Sequence, residues 1–433
     1  MTPAESTICV YDRGLFISWA ELFAKTFKRV LLYSDWKEAF PVSKKFHVGD
    51  GLDNVEHIPN FWDRIDDIDI FFFPDIIDGD LQAYLRSQGK LVWGSGKGEE
   101  LEMMRYEAKQ LFKKVGLPVS KFERIIGMPA LREYLKKNDD LYVKLSGLRG
   151  DAETFQHIRY ELSEPRLDEI EYRIGPRKGD KEFIVEEAVE PAMELGYDGW
   201  TILGGFPERS LIGLEKKNVG YVGCVRPNED IPEQLTLVND KLSPIFKKYD
   251  YRGYWSSEVR IKDDVGYLVD PTCRCPSPPG GLMQEIYSNW PDIIAGGAQG
   301  EIVQPKAIAK YGVIAMIGSE WAARNWQPIH FPAEIKQWVK LANYCVIDKT
   351  HYVIPQDALL TEIGQLVGLG STLLEAIGKV KEYSGQIEGY DVSVNLEAIP
   401  DAVEEIREGE EHGVMFSDDE LPSAEEVEEA IRD

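Results

Sequence analysis

With 433 residues the chain exceeds what one hydrophobic core usually serves, so about two to four packed units are expected. Hydrophobic residues make up 43% and charged residues 29%, and no run of about 18 apolar residues offers a membrane span. A net charge of −26 argues against nucleic acid or an anionic membrane as partner, since phosphate attraction needs a surplus of Lys and Arg.

The N-terminus, Met-Thr-Pro-Ala-Glu-Ser, has neither the basic start nor the long apolar region of a secretory signal, and cytoplasmic residence is expected. Residues 6 to 100 alternate short β-branched or aromatic runs with helical patterns, which predicts a small α/β unit with a parallel sheet. Its strands are expected at Ile8 to Val10, Val30 to Tyr33, Ile68 to Pro74 and Leu91 to Trp93, and its helices at Phe16 to Phe27 and Gly79 to Gln88. The turn after the first strand is Tyr11-Asp12-Arg13-Gly14, without the Gly-x-Gly-x-x-Gly of a dinucleotide site.

An amphipathic helix, Glu100 to Val115, is predicted to stop at Gly116-Leu117-Pro118, because glycine just past a helix and proline soon after end it. Strands follow at Phe122 to Ile126, Leu141 to Leu145 and Phe183 to Ala188. Further on, Tyr254 to Lys262 and Val265 to Asp270 read as a hairpin joined by Asp263-Asp264. Beyond 300 the pattern mixes short strands with a helix at Ser371 to Tyr383. From Asp401 to Asp433 fourteen acidic residues face two arginines, a net of −12, which leaves −14 for the first 400 residues. The plainer reading of that stretch is a solvated tail.

The hairpin carries the most informative spacing. Alternation by two places Glu258 with Arg260 on one arm, and Asp270 with Thr272 and Arg274 on the other. Two carboxylates on adjacent strands suit magnesium, which takes oxygen ligands and leaves sites for substrate phosphates; an arginine beside them can clamp a transferring phosphoryl group. A solvent-facing hairpin with a surface ion pair is the competing reading. Elsewhere the cysteines 9, 224, 273, 275 and 345 suit reduced thiols, and Cys273-x-Cys275 alone makes a poor zinc site. The histidines 47, 57, 157, 330, 351 and 412 form no triad-like or metal-like pattern and read as surface or structural residues.

Asp-Pro-Thr-Cys-Arg at 270 to 274, with Glu258 upstream, resembles the signature of the ATP-grasp superfamily. The resemblance implies Glu258, Asp270 and Thr272 as metal ligands, with Thr272 where Asn is usual, and Arg274 as the phosphate-stabilising arginine. Arg260, on the same face as Glu258, is a second catalytic candidate. Arg105 and Lys109, on the helix ending at Gly116, take the place of the basic residues that approach nucleotide phosphates. Lys144 resembles the lysine that contacts adenine and α-phosphate, and in so apolar a strand it needs an anionic partner. Ser146 to Asp151, with Gly147, Arg149 and Gly150, resembles the glycine-rich loop over the phosphates. The Phe183 to Val189 segment resembles the linker strand whose backbone, through Glu187 and Val189, pairs with adenine while Glu186 accepts from its amino group. Glu194 matches the acid that holds the ribose hydroxyls, and Lys216 or Lys217 sits where a further phosphate-contacting lysine occurs.

Within the superfamily the domain order and Gly370 to Ala376 are similar to the phosphoribosylamine-glycine ligases, although Tyr11 to Gly14 has no counterpart of their glycine-rich N-terminal signature. The fold so implied is α/β: a Rossmann-like pre-ATP-grasp domain at 1–98, the ATP-grasp domain at 99–300, a small α+β domain at 301–400 and an acidic tail at 401–433. The activity implied is ATP-dependent carboxylate-amine ligation through an acyl-phosphate, with ATP and Mg2+ (or Mn2+) as cofactors and small carboxylates and amines as substrates. A non-catalytic nucleotide-binding scaffold, or an ATP-grasp kinase or carboxylase-like enzyme, is the alternative. Monomer and homodimer both stay open.

Overall fold

A computed structural model describes residues 1–34, 47–146, 154–190, 192–216, 219–356 and 361–432. Strands β1 (Thr7–Tyr11), β2 (Arg29–Tyr33), β3 (Val55–His57), β4 (Ile70–Phe72) and β5 (Leu91–Trp93) form a parallel sheet in the order β3-β2-β1-β4-β5. Helices α1 (Ser18–Phe23) and α2 (Gly79–Ser87) accompany them. Every residue of β1 is buried, as expected of a strand covered on both faces. The strand predicted over Ile68 to Pro74 narrows to β4, and the helix predicted over Phe16 to Phe27 narrows to α1.

The helix expected over Glu100 to Val115 is two helices, α3 (Glu100–Met103) and α4 (Arg105–Val115), separated at Met104, whose φ of −101° and ψ of 69° leave the helical region. This corrects the continuous reading: the break lets Glu102 hold Arg274 and the Cys273 amide while Arg105 begins a fresh helix. α4 ends as its sequence demands. Gly116 takes φ 85° and Leu117 N donates to Phe112 O at 3.0 Å.

Next comes a small antiparallel sheet of β6 (Phe122–Ile126), β7 (Leu141–Leu145), β8 (Thr154–His157) and β9 (Glu182–Glu187), ordered β6-β9-β7-β8. Helices α5 (Met128–Leu135) and α6 (Tyr160–Ile174) cover it, and Met128, Leu131, Val143, Leu167 and Phe183 give it a core of its own.

The central sheet collects β10 (Met193–Ile202), β11 (Arg209–Lys216), β12 (Gly220–Pro227), β13 (Arg252–Lys262), β14 (Val265–Thr272), β15 (Tyr311–Gly318), β17 (Val339–Leu341) and β20 (Glu362–Gly370). Their order is β14-β13-β10-β11-β12-β15-β20-β17, and a short β21 (Ser393–Val394) lies beside β15. Four strands from beyond residue 300, β15, β17, β20 and β21, thus continue the sheet that holds the hairpin. β16 (Gln327–Ile329), β18 (Tyr344–Ile347) and β19 (Thr350–Val353) make a separate three-stranded sheet. Around them pack α7 (Glu233–Lys248), α8 (Pro279–Ile286), α9 (Trp290–Gln299) and α10 (Leu373–Ser384).

One apolar core runs from the parallel sheet into the central sheet. Trp290 stacks edge-on against Trp19 with ring centroids 5.0 Å apart and tilts against Trp200 at 5.1 Å. No helix among the described residues is long and apolar enough to cross a membrane.

The solvated acidic tail is overturned. α11 (Ile399–Glu411) buries Ile399, Ala402, Val403 and Ile406 at the i, i+3, i+4, i+7 spacing of an amphipathic helix. Val414, Phe416, Leu421 and Val427 are buried too, and Ser423 caps α12 (Ala424–Ile431) with a reciprocal Glu426 box. The acids have basic partners elsewhere in the fold: Lys216 meets Glu405, Arg226 meets Asp418 at 2.6 Å and Lys310 meets Asp419 at 2.8 Å. Charge density alone hid both the periodicity and these distant partners.

Candidate active site

The site is built on the hairpin. Asp263 and Asp264 take φ of 49° and 63° at its tip, a left-handed pair that short polar side chains tolerate and that two-residue hairpins require. Register then sets Lys262 against Val265, Glu258 against Asp270 and Ser256 against Thr272, with an irregularity after Glu258. The two carboxylates anticipated from spacing therefore stand side by side on neighbouring strands. Burial and the charge of Asp270 push the Glu258 carboxyl well above its ordinary value. Asp270 moves the other way: burial would raise it, but Arg105, then Lys144 and Arg274, hold it low. A proton therefore rests on Glu258 more readily than on Asp270.

Four basic residues converge here. Arg105 and Lys109 share one face of α4 at i, i+4; Arg105 donates to Asp270 Oδ1 at 3.2 Å and Lys109 to Glu186 Oε2 at 2.7 Å. Lys144, near the end of β7, donates to Val269 O at 2.6 Å and lies 3.7 Å from Glu186 Oε1. That carboxylate is the anionic partner its apolar strand demanded. Arg274 Nε donates to Glu102 Oε1 at 2.9 Å, and the other Glu102 oxygen accepts from Cys273 N at 2.7 Å.

Glu186 is the hub between the small sheet and α4. Burial alone would raise its carboxyl, yet Lys144, Lys109 and a 2.8 Å hydrogen bond from Ser120 bring it down to about 2. Its Oε1 is buried and accepts no hydrogen bond among the described residues, with Lys144 Nζ 3.7 Å away. Glu187, the next residue, points outward and is salt-bridged to Lys121 at 2.6 Å, while Val189 is buried.

Glu194 on β10 is registered against Arg260, whose Nε lies 3.5 Å from it, and Arg260 also reaches Glu190 at 3.7 Å. Lys216 is held by Glu405 of α11. Gly147, Arg149, Gly150 and Lys217 lie outside the described residues.

Sequence reasoning missed three residues. Glu102 orients Arg274; it lies on α3, just before the break that precedes Arg105. Ser120, just past the Pro118 stop, tethers Glu186. Asp198 alternates with Gly196 and Glu194 along β10, the strand beside the hairpin, where it accepts from Ser256 Oγ at 2.6 Å and Tyr221 Oη at 2.7 Å. Its burial pushes it up to about 6.

No protein-family model and no curated protein sequence matches the chain. Solved structures do. Phosphoribosylamine-glycine ligase from Thermotoga maritima superposes with a TM-score of 0.66 at 18% identity, covering 90% of this chain and 98% of its own. The biotin carboxylase domain of Hydrogenobacter thermophilus 2-oxoglutarate carboxylase, in complex with MgADP, ADP and bicarbonate, gives 0.65 at 13% identity over 96% and 99% of the two chains. Campylobacter jejuni biotin carboxylase, as a β,γ-ATP complex, gives 0.61 at 14% identity over 90% and 93%. The chain has the ATP-grasp fold, as the hairpin motif implied.

Proposed function

We propose that this chain is an ATP-dependent ligase that joins a carboxylic acid to an amine through an acyl-phosphate. The observation that carries the reading is the pairing of Glu258 with Asp270 on adjacent strands, faced by Arg105, Lys144 and Arg274. Residues and ligand chemistry agree. Two carboxylates and the Thr272 hydroxyl make an all-oxygen donor set of the kind Mg2+ prefers, and Mn2+ accepts the same donors. The ion, when bound there, neutralises charge on the phosphates. Glu186 Oε1, which accepts no hydrogen bond among the described residues and lies 3.7 Å from Lys144 Nζ, offers an acceptor for a donor group such as the adenine amino group.

Chemistry then rests on positioning and charge. A substrate carboxylate oxygen attacks the γ-phosphorus of ATP, the bond to the bridging oxygen breaks and ADP leaves. Arg274, aligned by Glu102, and Arg105 face the charge that gathers on the phosphoryl oxygens. The amine next attacks the acyl carbon, phosphate departs and a proton is lost from nitrogen. No nucleophilic side chain is needed. Glu194 and Arg260 form the polar edge of the same sheet face, where ribose hydroxyls find both acceptor and donor. The substrate itself is open, and bicarbonate counts among the carboxylates that belong in the trial set.

The test is ADP release by purified protein offered ATP, Mg2+ and mixtures of carboxylates and amines. Substrate-dependent ADP release is expected in the wild type, lost in Glu258→Gln and in Asp270→Asn while their melting stays cooperative. ATP binding with no substrate-dependent release would identify a nucleotide-binding scaffold instead. Wild-type turnover by either variant at limiting Mg2+ would remove the metal assignment.

A further inference from the structure

Far from the hairpin in sequence, two histidines that looked unrelated meet across an aspartate. His57 ends β3, the edge strand of the parallel sheet, and its Nδ1 lies 2.7 Å from Asp50 Oδ1. On the other side of the same carboxylate, Oδ2 is 3.4 Å from His47 Nδ1, and the two imidazole rings stand 5.6 Å apart at 84°. One ligand atom from each residue falls within 4.8 Å of the other two. We propose that His47, Asp50 and His57 form a binding site for a transition-metal dication, with zinc the best match.

The ligand set argues for that class of ion. Two imidazole nitrogens and one carboxylate suit zinc, cobalt or nickel, whereas magnesium asks for oxygen throughout. With metal-ligand bonds of about 2.0 Å, two ligands at a tetrahedral angle stand roughly 3.3 Å apart. His47 Nδ1 already stands 3.4 Å from Asp50 Oδ2, while His57 Nδ1, 2.7 Å from the other oxygen, Oδ1, needs to open by about half an ångström, so the carboxylate would hold the ion through both oxygens or turn to offer one. Three protein ligands leave a fourth position for water or another donor. No lysine or arginine forms an ion pair with Asp50 among the described residues. Its negative charge is thus available to a cation.

The three ligands are held in place from outside the cluster. His47 N donates to Asp50 Oδ2 at 2.7 Å, and Asp50 N donates back to His47 O at 3.1 Å. The turn is then stitched to β18: Gly49 N donates to Tyr344 O and Val346 N to Asp50 O, both at 2.8 Å. Gly51 is part of the fit. It takes φ 78°, and a Cβ there would lie 2.0 Å from Val346 O. All three side chains are only partly exposed, at 31% for His47, 24% for Asp50 and 19% for His57. An ion bound here would join β3 and the turn that rests on β18, at the edge of the parallel sheet opposite β5.

Calorimetric zinc titration of the full chain, stripped with chelator and kept in excess Mg2+, tests the site. One zinc per chain is expected in the wild type and in Glu258→Gln, whose lesion lies at the hairpin. His57→Gln and His47→Gln should each weaken zinc at least about tenfold, since even losing an outer partner of a ligand costs about 10- to 100-fold. Cobalt offers a readout on unmutated protein: intense visible absorption from a low-symmetry, near-tetrahedral site, displaced by one equivalent of zinc. Absence of that absorption together with no zinc uptake by the wild type would overturn the proposal, leaving an Asp-His hydrogen bond that shapes a turn. So would zinc binding that the His57→Gln and His47→Gln proteins, folded by circular dichroism, retain at wild-type affinity.

Discussion

The body of the molecule and its small sheet are held together by different forces. In the body a continuous apolar core links the parallel sheet to the central sheet through Trp19, Trp93, Trp200, Tyr254 and Trp290. The small sheet, β6 to β9, closes around a separate core, and it meets the rest mainly through directed polar contacts, Lys109 to Glu186 and Lys144 to Val269 O, beside a ring contact of Tyr106 with Phe122. Apolar burial is non-directional and cooperative, whereas a few directed polar bonds can break and re-form as a group. The difference teaches where motion is cheap. On the proposed function a nucleotide would bind at the junction of two units that each have a core of their own.

The sharpest break is in the shared core. Trp290→Ala removes the ring that touches both the parallel and the central sheet, and a truncation of this kind costs about 3–5 kcal/mol. The whole body should lose stability in one transition, seen as a fall in the melting temperature of every probe. Leu131→Ala, fully buried in the small core, should cost about 2–5 kcal/mol but locally. Hydrogen exchange should quicken across β6 to β9 while amides of β10 to β15 keep their protection. If both regions lose protection equally, the two-core comparison fails.

The junction itself responds to acid. Glu186 sits at about 2 in the fold against an ordinary 4.5, so its charged form is favoured by folding. The stabilisation, about 3 kcal/mol, is fully present above the unfolded value and is lost as pH falls through the folded one. The stability gap between wild type and Glu186→Gln should therefore be widest above about pH 4.5 and shrink toward pH 2. Denaturant melts at several pH values measure it. A gap that does not vary with pH would mean that the charge contributes nothing to the junction.

Much of this was legible in the sequence, for a physical reason. Four of the five parallel strands declared themselves as apolar runs, and β3 did not; period-two spacing put Glu258 and Asp270 on adjacent strands, but it took the irregularity after Glu258 to set them opposite each other. Arg105 and Lys109 followed from a helical face. What stayed hidden needed a third dimension. Glu102 acts on Arg274 and Asp198 on Ser256, each more than fifty positions away, His47 and His57 meet through Asp50 from a turn and a strand end, and the acids after residue 400 looked unpaired because their lysines and arginine lie at 216, 226 and 310. The helix break at Met104 had no glycine or proline to announce it.

Lys216 carries the smallest expected effect and the finest distinction. It is paired with Glu405 of α11, and both side chains are about a third exposed, so the pair itself should contribute less than about 1 kcal/mol. Two readings of the lysine separate in a pair of variants. If Lys216 only anchors α11 to β11, then Lys216→Met and Glu405→Gln act alike: a slightly lower melting temperature and an unchanged KM for ATP. If it also reaches a phosphate, as its position in the chain suggested, the variants diverge. Glu405→Gln frees the ammonium and should leave KM for ATP equal or lower, whereas Lys216→Met loses a charge-assisted contact of about 1.5–3 kcal/mol and should raise it. We expect divergence, because an exposed ion pair can exchange one anion for another at little cost, and phosphate is the more highly charged partner. Equal KM values in the two proteins would assign Lys216 to the body alone.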